Sequence, residues 1–197
     1  MNVASTTGNK PLEVITLSDG KSLTAEILPF GAIIKSIKFN NQEMTLCVNE
    51  PAYYLENPFY LGATVGRYAN RIENGRFVLS GTEYQLKANN GPNSLHGGEK
   101  GFNKVLWQVT KQSNNEVELY YCSADGEEGF PGQLQVWQTI TARNGELILI
   151  YKAITDKETL VNFTNHCYFN LEGSESINNH LLQINTATYL PIDSNSI

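Results

Sequence analysis

Histidine and cysteine are scarce in this 197-residue chain, with three of each. Cys47, Cys122 and Cys167 are odd in number, widely spaced and without a Cys-x-x-Cys pattern. This argues against a disulfide framework and against a zinc cluster, and it places the protein in a reducing cytoplasm. His96, His166 and His180 include no pair at i, i+2 or i, i+4, so the spacing that sets two imidazoles on one face for a metal is also missing. The apolar runs are too short to span a bilayer. The N-terminus, Met-Asn-Val-Ala-Ser-Thr-Thr-Gly, has no basic cluster followed by an apolar stretch, so no secretion signal is expected. Basic residues are outnumbered, 14 against 20 acidic, and the net charge of −6 is spread without a block. That balance gives no electrostatic reason to bind nucleic acid or an anionic membrane. A convincing helical period is absent from every long window.

What remains reads as strand. The apolar fraction of 41% suffices for a core. Leu23, Ala25 and Ile27 alternate with polar neighbours, as do Val117, Leu119 and Tyr121, and again Leu134, Val136, Ile140 and Ala142. Asp19-Gly20, Asn40-Asn41, Asn74-Gly75, Ser80-Gly81, Asn114-Asn115 and Asn144-Gly145 punctuate these runs. Asn-Gly between alternating segments signals a hairpin, because a type I′ turn needs positive φ at both central residues. Many short strands with regular turns predict an all-β sandwich or barrel. With no repeat, linker or low-complexity tract, residues 1–197 read as one domain. The ten Tyr, eight Phe and two Trp could fill such a core or stack on sugar rings, and composition does not separate these uses.

Two regions break the alternation: 51–71, with a Tyr/Phe cluster, and 89–103, rich in glycine. Irregular segments on a rigid β scaffold are where sites are carried. A third stretch, Val161 to Leu171, is predicted as a strand with Asn162, Thr164, His166, Tyr168 and Asn170 on one face. The opposite face would carry Val161, Phe163, Asn165, Cys167, Phe169 and Leu171. The polar face could floor a groove, or it could be a solvated exterior with an incidental histidine. His166 and Cys167 would point apart, which excludes a Cys–His dyad and makes Cys167 a small core residue. In Leu95-His96-Gly97-Gly98 the glycines permit close approach of a ligand, yet a loop histidine capping its own turn would look the same. Gly62 to Ile72 lacks the spacing of a phosphate loop, and its Asn70 and Arg71 are either hydroxyl partners or ordinary surface residues. Asp125, Glu127 and Glu128 crowd one turn-rich loop rather than facing each other across a bond, so they read as solvated turn residues.

Four blocks, in this order, resemble the aldose 1-epimerase (galactose mutarotase) family: Gly-Arg-Tyr-Ala-Asn-Arg-Ile (66–72), Leu-His-Gly-Gly with Gly-Phe-Asn-Lys (95–104), Asp-Gly-Glu-Glu-Gly-Phe-Pro-Gly (125–132) and Thr-Asn-His-Cys-Tyr-Phe-Asn-Leu (164–171). The resemblance runs from about Leu12 to Ile197. It implies a large antiparallel β-sandwich, galactose mutarotase-like, with a concave groove for a free hexose such as galactose or glucose. It implies that His166 is a general acid, that His96 lies beside the ring oxygen, and that Asn70 and Arg71 bond sugar hydroxyls. Opening a hemiacetal removes a proton from the C1 hydroxyl and delivers one to the ring oxygen, work suited to histidine near neutral pH. The ring C–O bond breaks and re-forms with proton transfers and no redox step, so neither a cofactor nor a metal is expected.

The resemblance also implies a glutamate base and a sugar-binding aspartate beyond the equivalent of Ile197, and neither has a match here. The expectation is therefore the N-terminal portion of a longer sandwich, inactive alone and completed by a C-terminal polypeptide. Two other readings compete. A non-catalytic carbohydrate-binding sandwich would lack anomer exchange. A relative acting on a hexose 6-phosphate would need basic residues at the groove, for which Arg67, Arg71 and Arg76 are the only close group.

Overall fold

A computed structural model describes residues 12–194, 196 and 197, so the reading of the N-terminus as leaderless lies outside the described residues. Strands β1 (Ile15–Ser18), β2 (Leu23–Leu28), β3 (Ile33–Phe39) and β4 (Gln42–Glu43) form an antiparallel meander. A short helix, α1 (Tyr53–Glu56), follows, then β5 (Thr64–Val65) and β6 (Arg71–Ile72). Next come the hairpin β7 (Arg76–Leu79) and β8 (Thr82–Gln85), and β9 (Ser94–Leu95), which pairs with β6. A second antiparallel meander is built from β10 (Gln108–Gln112), β11 (Glu116–Ser123), β12 (Leu134–Arg143) and β13 (Glu146–Thr155). Last is β14 (Thr164–Asn165), paired with β5.

The two meanders pack face to face, as the alternation predicts. Ile15, Leu17, Leu23, Ala25 and Ile27 of the first meet Val117, Leu119, Leu134, Val136, Ile140 and Ala142 of the second in one buried cluster. Trp107 is fully buried between them, and its indole N–H donates to the Phe102 carbonyl at 3.1 Å, which removes the cost of burying that polar tip. β3 is buried on both faces. Ile34 enters the main core, while Ile33 joins Leu28, Tyr54, Leu61 and Ala63 in a second cluster. This is why its sequence does not alternate.

Three of the predicted turns close two-residue hairpins with positive φ at both positions: Asn40-Asn41 (49° and 65°), Ser80-Gly81 (48° and 80°) and Asn144-Gly145 (54° and 79°). Asn74-Gly75 departs from the expectation. It lies in a 3₁₀ turn between β6 and β7, where Gly75 sits so close to the Leu86 carbonyl that a Cβ would come within 2.8 Å of it.

The largest correction concerns 161–171. It is extended but not one strand, and only Thr164–Asn165 is laddered. Its backbone changes partners along its length. His166 N–H donates to Ala63 O at 2.9 Å and His166 O accepts from Gly62 N–H at 3.1 Å, whereas Tyr168 O accepts from Leu46 N–H at 2.8 Å. A segment handed from one irregular neighbour to another cannot hold a strict two-face alternation. Phe163 and Cys167 pack on the core as predicted, but Val161, Phe169 and Leu171 are exposed.

Candidate functional site

The β6–β9 pairing, Arg71 opposite Leu95, brings the Gly-Arg-Tyr-Ala-Asn-Arg block beside the histidine–glycine loop. Just beyond this ladder, His96 N–H donates to Asn70 O at 3.1 Å, and Asn70 N–H donates to the imidazole Nδ1 of His96 at 3.0 Å. His96 therefore caps the opposite strand rather than its own turn. The glycines that follow are sterically required. A Cβ on Gly97 would lie 1.8 Å from the Gly66 carbonyl oxygen, and at Gly98 a φ of 109° is strained for any side chain, with the Glu128 carboxylate 2.2 Å from where a Cβ would stand.

Two side chains that sequence reasoning missed or misread hold this loop. Asn89 bonds both Leu95 N–H (2.7 Å) and the carbonyls of Leu95 and Gly98 (3.0 and 2.9 Å). Glu128 accepts from the N–H groups of Glu99 and Lys100 at 2.9 and 3.2 Å. Glu127 accepts from the Tyr121 hydroxyl at 2.6 Å and from Ser123, while Asp125 pairs with Lys157 and accepts from Gly132 N–H at 2.6 Å. The acidic loop is thus an anchor, which corrects its reading as solvated turn. Arg67 completes the fastening. The residue is 2% exposed, and its guanidinium donates to Ser123 Oγ and Pro131 O at 2.9 Å and to Ala124 O at 2.7 Å. Burial lowers its pKa, with Glu127 and Asp125 opposing that effect.

His166 reaches the same place from the other end of the sequence. Its ring lies 5.3 Å from that of His96, edge to face, and 5.0 Å from Tyr168. Tyr60 touches both imidazoles, at 4.8 Å from His96 and, stacked, at 5.7 Å from His166. Burial, reinforced by His166 and then Arg71, pushes the His96 pKa down to about 4. Cys167 points the opposite way, packed on the core with Sγ 3.9 Å from Ile34 O, and burial pushes its thiol up to about 12. The Cys–His dyad is absent, as expected from adjacency.

Arg71 donates through Nε to Asn90 Oδ1 at 2.9 Å and through Nη1 to Asn70 Oδ1 at 3.3 Å. A guanidinium has five N–H donors, so these two bonds aim it while leaving donors for a ligand. All four predicted site residues, Asn70, Arg71, His96 and His166, are therefore linked by contacts. His180 is elsewhere, accepting from Leu171 N–H at 3.1 Å. Among the described residues, the arginine group that a sugar phosphate would need is otherwise engaged: Arg67 is spent internally and Arg76 pairs with Glu83 at 3.2 Å. Tyr60 was hidden within an aromatic-rich stretch. Its distinguishing feature, a left-handed backbone with φ of 58°, has no sequence signature in a tyrosine.

Comparison with known proteins points to one family. The family model described as aldose 1-epimerase matches residues 13–197. A galactose mutarotase of Bos taurus is 46% identical over 178 residues, covering 87% of this chain and 52% of that protein. An aldose 1-epimerase of Escherichia coli K12 is 37% identical over 196 residues, covering 95% of this chain and 56% of the relative. Among solved structures, an aldose epimerase homologue from C. elegans superposes with a TM-score of 0.90 at 31% identity, over 93% of this chain and 58% of that one. The galactose 1-epimerase of Lactobacillus acidophilus NCFM gives 0.74 at 30% identity, over 80% and 48%. The chain spans about half the length of the curated relatives it matches. On the family-wide match and these identities, the chain belongs to the aldose 1-epimerase family.

Proposed function

We propose that this chain carries the acid side of a mutarotase site and that it acts on free hexoses such as galactose and glucose. The observation behind the proposal is the meeting of two imidazoles, 5.3 Å apart, with the Asn70–Arg71 pair at their edge. In this reading His166 delivers a proton to the ring oxygen of the bound sugar. His96 hydrogen-bonds on the same side, Asn70 and Arg71 take hydroxyls, and the Tyr60 and Tyr168 rings offer apolar faces to the sugar. The opened aldehyde rotates about C1–C2, and closure returns the proton and gives the other anomer.

Removal of the proton from the C1 hydroxyl needs a base on the opposite side of the hemiacetal. In the same proposal it is a glutamate supplied by a complementary C-terminal polypeptide. The exposed apolar residues Leu181, Leu182, Ile184, Tyr189, Leu190 and Ile192 support a covering partner of that kind. The three free cysteines support a cytoplasmic setting. The test is anomer exchange from fresh α-galactose and α-glucose, followed by polarimetry or exchange NMR, with the chain and that C-terminal polypeptide together. Relaxation at the spontaneous rate would overturn the proposal.

A further inference from the structure

Three residues other than glycine hold a left-handed backbone at the histidine pair: Tyr60 (φ 58°), Asn70 (φ 68°) and His96 (φ 54°). Such a conformation is strained for a bulky side chain and persists where the surroundings impose it. Around Tyr60 the cause is visible. The buried Asn57 side chain accepts from Leu61 N–H at 2.8 Å and donates to Leu61 O at 3.1 Å. Tyr60 N–H donates to Asn57 O, and Tyr60 O accepts from Ala63 N–H, each at 3.0 Å. The turn so fixed presses the phenol ring against both imidazoles.

Around His96 the hydrogen bonding selects one form of the ring. The Asn70 N–H that faces Nδ1 at 3.0 Å needs a lone pair there, so the neutral ring must carry its proton on Nε2. Protonating Nδ1 would break this bond and set two N–H groups against each other. The charged and titratable groups around the ring also disfavour a cation. Arg71 and His166 stand beside it, the Tyr60 phenol covers it, and the carboxylate that anchors the following loop, Glu128, bonds the N–H groups of Glu99 and Lys100.

We infer that Tyr60 and the Asn70 backbone amide are positioning groups that hold His96 as a neutral imidazole protonated on Nε2. Within the pair, His96 is then a fixed hydrogen-bond donor, and proton delivery falls to His166 alone. A donor that never takes up the proton does not compete for it when the ring oxygen receives it. The place of the sugar in this account rests on the mutarotase reading. The state of His96 does not.

The test uses long-range ¹H–¹⁵N NMR of the isotope-labelled chain, alone where it is monodisperse and otherwise in complex with the unlabelled C-terminal polypeptide, with no sugar present. At neutral pH, His96 Nδ1 should show the resonance of an unprotonated nitrogen and Nε2 that of an N–H. The ring should not titrate until near pH 4. Tyr60→Ala admits water to the ring and should raise that midpoint by about one pH unit, whereas Tyr60→Phe should keep the wild-type curve. A protonated Nδ1 at neutral pH, or a Tyr60→Ala midpoint equal to wild type, overturns the inference. If Tyr60→Ala does not fold, the wild-type tautomer decides. Absence of anomer exchange would remove the mutarotase reading without altering these spectra, so the two failures are distinguishable.

Discussion

His166 is gripped by aromatic faces, Tyr60, His96 and Tyr168, on a backbone bonded to Gly62 and Ala63. Its ring can therefore be removed at modest cost to the core, and loss of function should exceed loss of stability. In a preparation containing the base, His166→Ala is expected to lower kcat at least ~10²-fold, the scale of a lost general acid. A variant with near wild-type kcat would place the acid elsewhere. Arg71 is expected to act on binding. Arg71→Ala should weaken galactose affinity by about 1–3 kcal/mol, the scale of a lost hydrogen bond from a charged donor. Because Arg71 also bonds Asn90, calorimetric titration should be paired with a melting curve. A lower Tm with unchanged affinity would make it a brace for that loop. His166, His96, Asn70 and Arg71 were legible as candidates because polar side chains in irregular or one-sided segments stand out. Arg67 was not, since nothing local distinguishes an arginine that will be buried under five hydrogen bonds from one in water.

Hairpins carry the register of both sheets, and one carboxylate couples them. Asp19 Oδ1 accepts from the N–H groups of Leu23 and Ser22 at 3.0 Å and of Lys21 at 2.8 Å, in the β1–β2 turn. Its Oδ2 accepts from Gly145 N–H at 2.9 Å, in the β12–β13 turn of the other sheet. Led by the Leu23 bond, these contacts lower its pKa to about 2. The unfolded chain has the ordinary value, ~3.9. A depressed carboxylate stabilises the fold fully above the unfolded value and loses that contribution as pH falls through the folded one. Asp19→Asn should therefore lower Tm at neutral pH, and the gap to wild type should close between pH ~4 and ~2. Thermal melts across that range decide it, and a gap constant with pH would show that the Asp19 charge does not matter. The turns Asn40-Asn41, Ser80-Gly81 and Asn144-Gly145 were readable because their residue types tolerate positive φ. The strand expected over 161–171 failed because pairing depends on the neighbour, and its neighbours are short and change along its length.

For the molecule as a whole, the second meander leaves β13 with a single described neighbour, β12, and with Ile150 and Ile154 half exposed. Beyond it, Leu181 and Leu190 are 100% and 94% exposed. An unpaired strand edge beside uncovered apolar side chains invites association. Residues 1–197 expressed alone should scatter light as oligomers and leave anomer exchange at the spontaneous rate. Supplying the C-terminal polypeptide should convert them to a defined complex. A monodisperse, active monomer would show that these surfaces need no cover and that the base lies within this sequence. The all-β architecture, three of the hairpin turns, most of the core and the family could be read along the chain, because alternation, turn chemistry and short motifs are local properties. That two distant imidazoles share one aromatic partner, that Arg67 and Glu128 fasten the histidine loop, and that the Asn70 amide faces Nδ1 of His96 emerges in the folded molecule. Those contacts join segments far apart in the chain, and the burial, strain and charge that define them arise only when the segments meet.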